Sequence, residues 1–308
     1  MIKYVIKRLL LMIPILLGVT FIIFFIMNIM PGDPASLILG DTAPQEARDQ
    51  LNEELGLNRP FLVRYVDYIV HAVQGDFGES YRTRTPVFTE VFARFPTTLT
   101  LAIGAIILAV LIGVPLGILS AVKQYSVLDM ISSVSAMFLS SIPAFWLGLL
   151  SLLLFAVTLR WLPTSGSDSI QCYILPIVTL SLPAAAELLR LTRSTMLEVI
   201  RQDYIRTARA KGASERIVIW RHALSNALLP IITVACMHFG GLLGGSVITE
   251  SVFGMRGVGT LAIEAIRTKD TPQVMASVLL LATSFCLLML VVDLLYAFID
   301  PRVRARYK

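Results

Sequence analysis

The chain has 308 residues, 56% of them hydrophobic and 15% charged, with a mean hydropathy of +0.76 and a formal net charge of +5. That apolar content exceeds what a water-soluble core hides, so the expected solvent is a lipid bilayer and an ordinary soluble domain is excluded. The basic excess does not point to nucleic acid: residues 190–221 carry eight Lys or Arg and three Asp or Glu, a local +5 that equals the value of the whole chain.

In chain order, Lys3, Lys7 and Arg8 precede an uncharged run at 9–30. This start is like a signal peptide, but the run is too long and no small-x-small cleavage site follows, so it is expected to remain as the first span. Further runs without Asp, Glu, Lys or Arg lie at 95–122, 130–159, 169–186, 222–249 and 271–292. Each supplies about 20 residues, enough for a helix to cross the hydrocarbon core. The spacing therefore predicts six membrane helices. Pro143 predicts a kink or tilt in the third run, and the fourth is the shortest and carries Pro176 and Pro183.

The basic residues at 3–8, at 190–221 and at 302–308 all fall on one side of such a six-span chain, the cytoplasmic side by the positive-inside rule. Residues 31–94, with ten acidic and six basic residues, fall on the other. This outer segment has helix punctuation of its own. Thr42 and Pro44 predict an entry, Gly56 an exit, Pro60 a second entry and Gly75 a stop. Leu62, Tyr65, Val66, Ile69, Val70 and Val73 recur at helical spacing in the second of these helices and predict a packing stripe. The expected organisation is thus 1–30 as N-terminal tail and first helix, 31–94 as extracytoplasmic segment, 95–299 as the core with a loop at 190–221, and 300–308 as cytoplasmic tail.

Several chemistries find no support in the sequence. No Gly-Lys dipeptide occurs, so no Walker A loop is available to hold nucleotide phosphates. Cys172, Cys236 and Cys286 are odd in number and far apart, which supports neither a disulfide framework nor a zinc site. No Ser-His-Asp set, carboxylate pair or metal-spaced His cluster stands out, so neither a catalytic nor a metal site is expected. Only His238 and Asp293 lie well inside apolar runs, thin material for a proton relay, and Glu187 and Glu250 are expected to reach the interface. Gly254 to Gly259 is expected to form a tight outer turn. Gly240, Gly241, Gly244 and Gly245 form overlapping G-x-x-x-G pairs in the fifth run, and Gly113 with Gly117 another in the second. These permit close helix packing, and with His238 the first set is a candidate for packing or for lining a pathway.

The inner loop is the most specific feature. Arg206-Thr207-Ala208-Arg209-Ala210-Lys211-Gly212, preceded by Asp203 and followed by Ala213 and Ser214, combines small residues, cations and a glycine stop. With Arg221 to Pro230 it resembles the coupling segment of binding-protein-dependent ABC importer permeases of the dipeptide, oligopeptide and nickel group. The chain departs from the general E-A-A-x-x-x-G form of those permeases, having Arg206 and Thr207 in place of the glutamate and first alanine. It matches the R-T-A-R-A-K-G form of the peptide and nickel group throughout. Pro31-Gly32-Asp33-Pro34, Gly75-Asp76-Phe77-Gly78, and Val292-Asp293-Leu294-Leu295-Tyr296 through Asp300-Pro301-Arg302 extend the resemblance from end to end.

The resemblance implies an all-α integral membrane protein with the type I importer permease fold and a helical extracytoplasmic segment between spans 1 and 2. It implies a multi-pass subunit of a bacterial or archaeal cytoplasmic membrane, both termini inside, with no cofactor of its own. The implied partners are a second homologous permease, two cytoplasmic ATPase subunits using ATP and Mg, and an extracytoplasmic substrate-binding protein. The implied substrate is a di- or oligopeptide, with nickel chelates or glutathione as alternatives in the same family. In such an importer, ATP-driven closure of the ATPases moves a coupling helix at 203–214 and reorients the spans. A different class, an ion-coupled secondary transporter, would need the intramembrane carboxylates that this sequence largely lacks.

Overall fold

A computed structural model describes residues 2–40 and 42–299. The basic tail at 302–308 and the Asp300-Pro301-Arg302 motif lie outside the described residues. Among the described residues the regular structure is helical. In order the elements are α1 (Ile2–Ile29), α2 (Pro34–Leu39), α3 (Gln45–Glu54), α4 (Phe61–Val73), α5 (Val87–Val122), α6 (Val127–Ser141) and α7 (Ala144–Ser151), which continues as a π-helical segment, Leu152–Thr158. There follow α8 (Ile170–Ile200), α9 (Asp203–Ala210) and α10 (Glu215–Ile217), which runs through a π-helical segment, Val218–Ala223, into α11 (Leu224–Gly245). Last come α12 (Val247–Val252), α13 (Val258–Arg267) and α14 (Thr271–Ile299).

Among the described residues five helices are long and apolar enough to cross a bilayer: Tyr4–Ile29, Val87–Val122, Ile170–Ile200, Glu215–Gly244 and Thr271–Leu294. A sixth arises when α6 and α7 with its π extension count as one span, bent by 98°. The bend falls at Ile142 and Pro143, where Ile142 takes an extended conformation (ψ 128°). Proline disfavours helical backbone in the residue before it, so the expected kink is a full break. Pro176 and Pro183, by contrast, lie inside α8 without ending it.

Chain contacts divide the molecule into two units. One joins the segment up to Thr98 with Met255–Leu287. Its short helices between α1 and α5 begin and end where the sequence places them: Pro44 and Pro60 cap α3 and α4, while Gly56 (φ +65°) and Gly75 (φ +86°) turn the chain beyond each. Asp33 caps α2 by accepting from the amides of Ala35 and Ser36. The stripe on α4 divides. Phe61 and Tyr65 pack against Phe21 and Phe24 of α1, and the Tyr65 hydroxyl donates to the Leu17 carbonyl at 2.9 Å. Leu62, Val66, Val70 and Val73 are left exposed. Lys269 is buried and donates to the carbonyls of Met30 and Gly32, placing a cation at the C-terminal end of α1. Burial pulls its ammonium below the ordinary lysine range, against the opposing charge of Asp33.

The other unit joins Leu99–Gly254 with the segment from Leu288. Its helices α5 and α8 meet through glycine: a Cβ on Gly113 would lie 2.5 Å from the Ala185 carbonyl oxygen, and one on Gly117 would lie 2.6 Å from the Thr192 Cβ. The core of this unit runs through Ala109, Ile118 and Ala121 of α5, Leu188 and Met196 of α8, Ile205 of α9, Val218 and Ala223 of the π segment, and Ala227 and Ile231 of α11.

Candidate functional site: the loop between α8 and α11

The loop between the fourth and fifth apolar runs folds into one short amphipathic helix followed by a turn. Gln202, in extended backbone (ψ 150°), breaks the chain from α8 and starts α9. Asp203 stands in the first turn and Arg209 in the last, so both charges complement the helix dipole. The helix ends in a Schellman turn: the Ala213 amide donates to the Ala208 carbonyl at 3.2 Å and the Gly212 amide to the Arg209 carbonyl at 2.9 Å. Gly212 sits at φ +83°, the left-handed position this turn requires, where a residue with a Cβ is strained.

One residue anchors α9. Ile205 is fully buried in the core shared with α5, α8, the π segment and α11, while Asp203, Tyr204, Arg206, Thr207, Arg209, Lys211, Gly212 and Ser214 are exposed. Ala208 and Ala213 are half-buried. The exposed face is thus cationic and slim on a helix pegged into the core of this unit. The Arg209 guanidinium donates twice to the Glu215 carboxylate, at 2.7 and 3.1 Å, closing the turn across Gly212. That hydrogen bonding holds the guanidinium above its ordinary range, against a smaller effect of burial. Burial raises the Tyr204 phenol. Arg206 lies 3.8 Å from Asp203, both exposed, a pair too solvated to fix geometry. The loop leaves through Val218–Ala223, whose π-helical winding adds a residue to the turn and is a form often found at functional sites.

The remaining predicted residues lie on α11 in the same unit. His238 Nε2 is 3.0 Å from the Glu187 carboxylate on α8, close enough for charge pairing but not aligned as a hydrogen bond. Gly240 is buried, whereas Gly241 and Gly244 are exposed, and among the described residues a Cβ on either of these two would meet nothing within 4 Å beyond its own turn of helix. Gly245 ends α11. The glycine pair of α5, Gly113 and Gly117, thus packs closely, whereas the face of α11 at Gly241 and Gly244 is open. Glu250, expected to reach the interface, is instead fully buried and accepts from the Ser246 hydroxyl at 3.0 Å. Of the turn expected over Gly254 to Gly259, only the start is a turn, at Gly254 (φ +56°); Gly257 is extended and caps α13, which begins at Val258. Among the described residues no group of three or more His, Cys, Asp or Glu is arranged to hold a metal.

Sequence reasoning missed one polar assembly in this unit. Asp129, at the start of α6, is buried and receives Nε and Nη2 of Arg193 on α8 at 2.6 and 2.8 Å. The 64 positions between them conceal the pair from any local pattern. The local sequence offers only a carboxylate between two apolar runs, six positions after Lys123.

Comparison with known proteins accords with this architecture. Residues 113–305 match the family described as binding-protein-dependent transport system inner membrane component, and residues 1–102 match the N-terminal family of the same membrane components. The glutathione transport system permease protein GsiC of Salmonella typhi is 45% identical over 304 residues, covering 99% of both chains. The counterpart of that protein in Escherichia coli strain K12 is 44% identical over 304 residues, again with 99% of each chain covered. The dipeptide transport system permease protein DppB of Alkalihalophilus pseudofirmus is 42% identical over 332 residues, covering 99% of this chain and all of that one. In fold, the chain is similar to the MetNI methionine ABC transporter in an inward-facing form, with a TM-score of 0.55 and 21% identity over 68% of this chain and 96% of the other. The helical architecture, the apolar spans and these full-length matches establish that the chain belongs to the binding-protein-dependent transport system inner membrane components, as a non-catalytic ABC importer permease subunit.

Proposed function

We propose that this chain forms half of the translocation pathway of an ATP-driven importer of di- or oligopeptides, paired with a second, homologous permease. Two cytoplasmic ATPase subunits supply hydrolysis of ATP with Mg, and an extracytoplasmic binding protein delivers substrate. No cofactor resides on this chain. Both termini and the loop carrying α9 face the cytoplasm, in keeping with the basic residues at 3–8 and 190–221. The observation that carries this reading is α9 itself. Its exposed cationic face, with Arg206, Arg209 and Lys211, suits a groove on a partner, and its buried Ile205 joins it to the core of α5, α8 and α11. A push on α9 is thereby a push on the spans, and alternating access follows from rearranging packed helices rather than from bending them. The open face at Gly241 and Gly244 suits the seam with the second permease or the pathway wall.

The substrate class is supported by relatives bearing dipeptide and glutathione transport names. Glutathione is the second reading, and nickel chelates a third within the same family. Uptake of a labelled dipeptide by membrane vesicles, with competition from unlabelled dipeptides, longer peptides, glutathione and a nickel chelate, tests the class. Competition by peptides is the expected result, and competition by the nickel chelate alone would contradict it.

A further inference from the structure

We propose that Asp129 and Arg193 are the positioning pair that carries the movement of α9 into α5 and α6, an inference that rests on the coupling role proposed above. Arg193 lies on α8 seven positions before its last residue, Ile200, about 10 Å along the helix at 1.5 Å per residue, and is half-buried. Asp129 is the third residue of α6, just after the turn of residues 123–126 that joins α5 to α6. The carboxylate has no spare capacity. Oδ1 accepts from Arg193 Nε at 2.6 Å, from the Ser120 hydroxyl on α5 and, more weakly, from the Ser133 hydroxyl at 3.4 Å. Oδ2 accepts from Arg193 Nη2 at 2.8 Å and from the Tyr125 amide at 2.9 Å.

Two features set this apart from an incidental ion pair. Tyr125 is held at φ +64°, a left-handed conformation that a residue with a side chain adopts at a cost, and its amide is fixed by the same carboxylate that Arg193 grips. The joint between α5 and α6 is therefore over-determined by one carboxylate and steered by one guanidinium. The grip is also a planar fork on a carboxylate, which resists rotation in a way a single contact does not. Apolar contacts between α6 and α8 can slide; a bidentate pair on a buried carboxylate moves as a unit or breaks. When α9 is displaced, α8 carries Arg193 with it, and the end of α5 and start of α6 must follow.

The test uses the whole complex, purified with its ATPase subunits and binding protein and reconstituted in lipid vesicles, with a radiolabelled dipeptide and labelled glutathione as probes. ATP hydrolysis and uptake are measured together in wild type and in Asp129→Asn and Arg193→Lys, which keep size or charge but lose the charged fork. The expected result is normal assembly and retained hydrolysis with uptake per ATP lowered about tenfold, a typical coupling energy. Unchanged uptake per ATP in both variants overturns the inference. So does failure of both variants to assemble, because the pair would then serve folding alone. If only one assembles, its uptake per ATP decides. Uptake by the wild-type complex without ATP would remove the underlying coupling reading, whereas ATP-dependent wild-type uptake beside unaffected variants overturns this inference alone.

Discussion

Gly212 and Ile205 divide the work of the loop between α8 and α11 at the scale of single residues. Gly212 is needed for its backbone: φ +83° strains any residue with a Cβ, yet a Cβ there would meet nothing among the described residues within 4 Å beyond its chain neighbours. A left-handed residue other than glycine costs about 1–2 kcal/mol, and asparagine tolerates the position best. Ile205 is needed for its side chain. Truncating a fully buried isoleucine to alanine costs about 2–5 kcal/mol, and here the loss falls on the seating of α9 rather than on any span. Ile205→Ala should therefore insert normally but recover less ATPase subunit on purification; full recovery would show that α9 does not need its anchor. Arg209 and Glu215, at 39% and 62% side-chain exposure, are too solvated for their pair to exceed about 1 kcal/mol. Arg209→Gln should thus leave the thermal stability of the complex nearly unchanged, and a large fall would mean the pair is shielded by a partner.

At the scale of elements, what could be read from the sequence depended on whether the signal was local. The caps of α3 and α4 were legible because Pro44, Gly56, Pro60 and Gly75 act within their own turns. The break between α6 and α7 was visible only as Pro143; its 98° angle depends on what each half packs against. The π-helical segments Leu152–Thr158 and Val218–Ala223 left no sequence mark, since one inserted residue in a helix turn changes no composition. The pairing of Asp129 with Arg193 and the seat of Lys269 under α1 are long-range and appear only in three dimensions. The glycine pairs show the same limit, because identical spacings serve opposite environments. Gly117→Val should prevent accumulation of folded protein, as its first carbon already collides with Thr192 at 2.6 Å. Gly241→Ala should accumulate as wild type in membranes. Equal accumulation of the two variants would contradict this division, and lost uptake in Gly241→Ala alone would mark its face as seam or pathway.

The whole molecule follows from its solvent. A chain this apolar folds with its polar backbone satisfied in helices, and its charge is placed where water returns. The family and the membrane architecture were legible because both are distributed over the entire length. Sidedness can be tested directly. Single cysteines placed at Asp49 and at Asp203, in a chain whose own three cysteines are replaced by serine, should react with a membrane-impermeant thiol reagent from opposite sides. The first should react from outside intact cells and the second only in inverted vesicles; labelling of both from one side would contradict the topology. If α9 is the coupling helix as proposed, force enters this chain at the Gly212 turn. Reconstituted vesicles containing the full complex, assayed for ATP hydrolysis and dipeptide uptake together, should show Gly212→Val hydrolysing ATP with little uptake and Gly212→Asn close to wild type. Undiminished uptake per ATP in Gly212→Val would contradict the account.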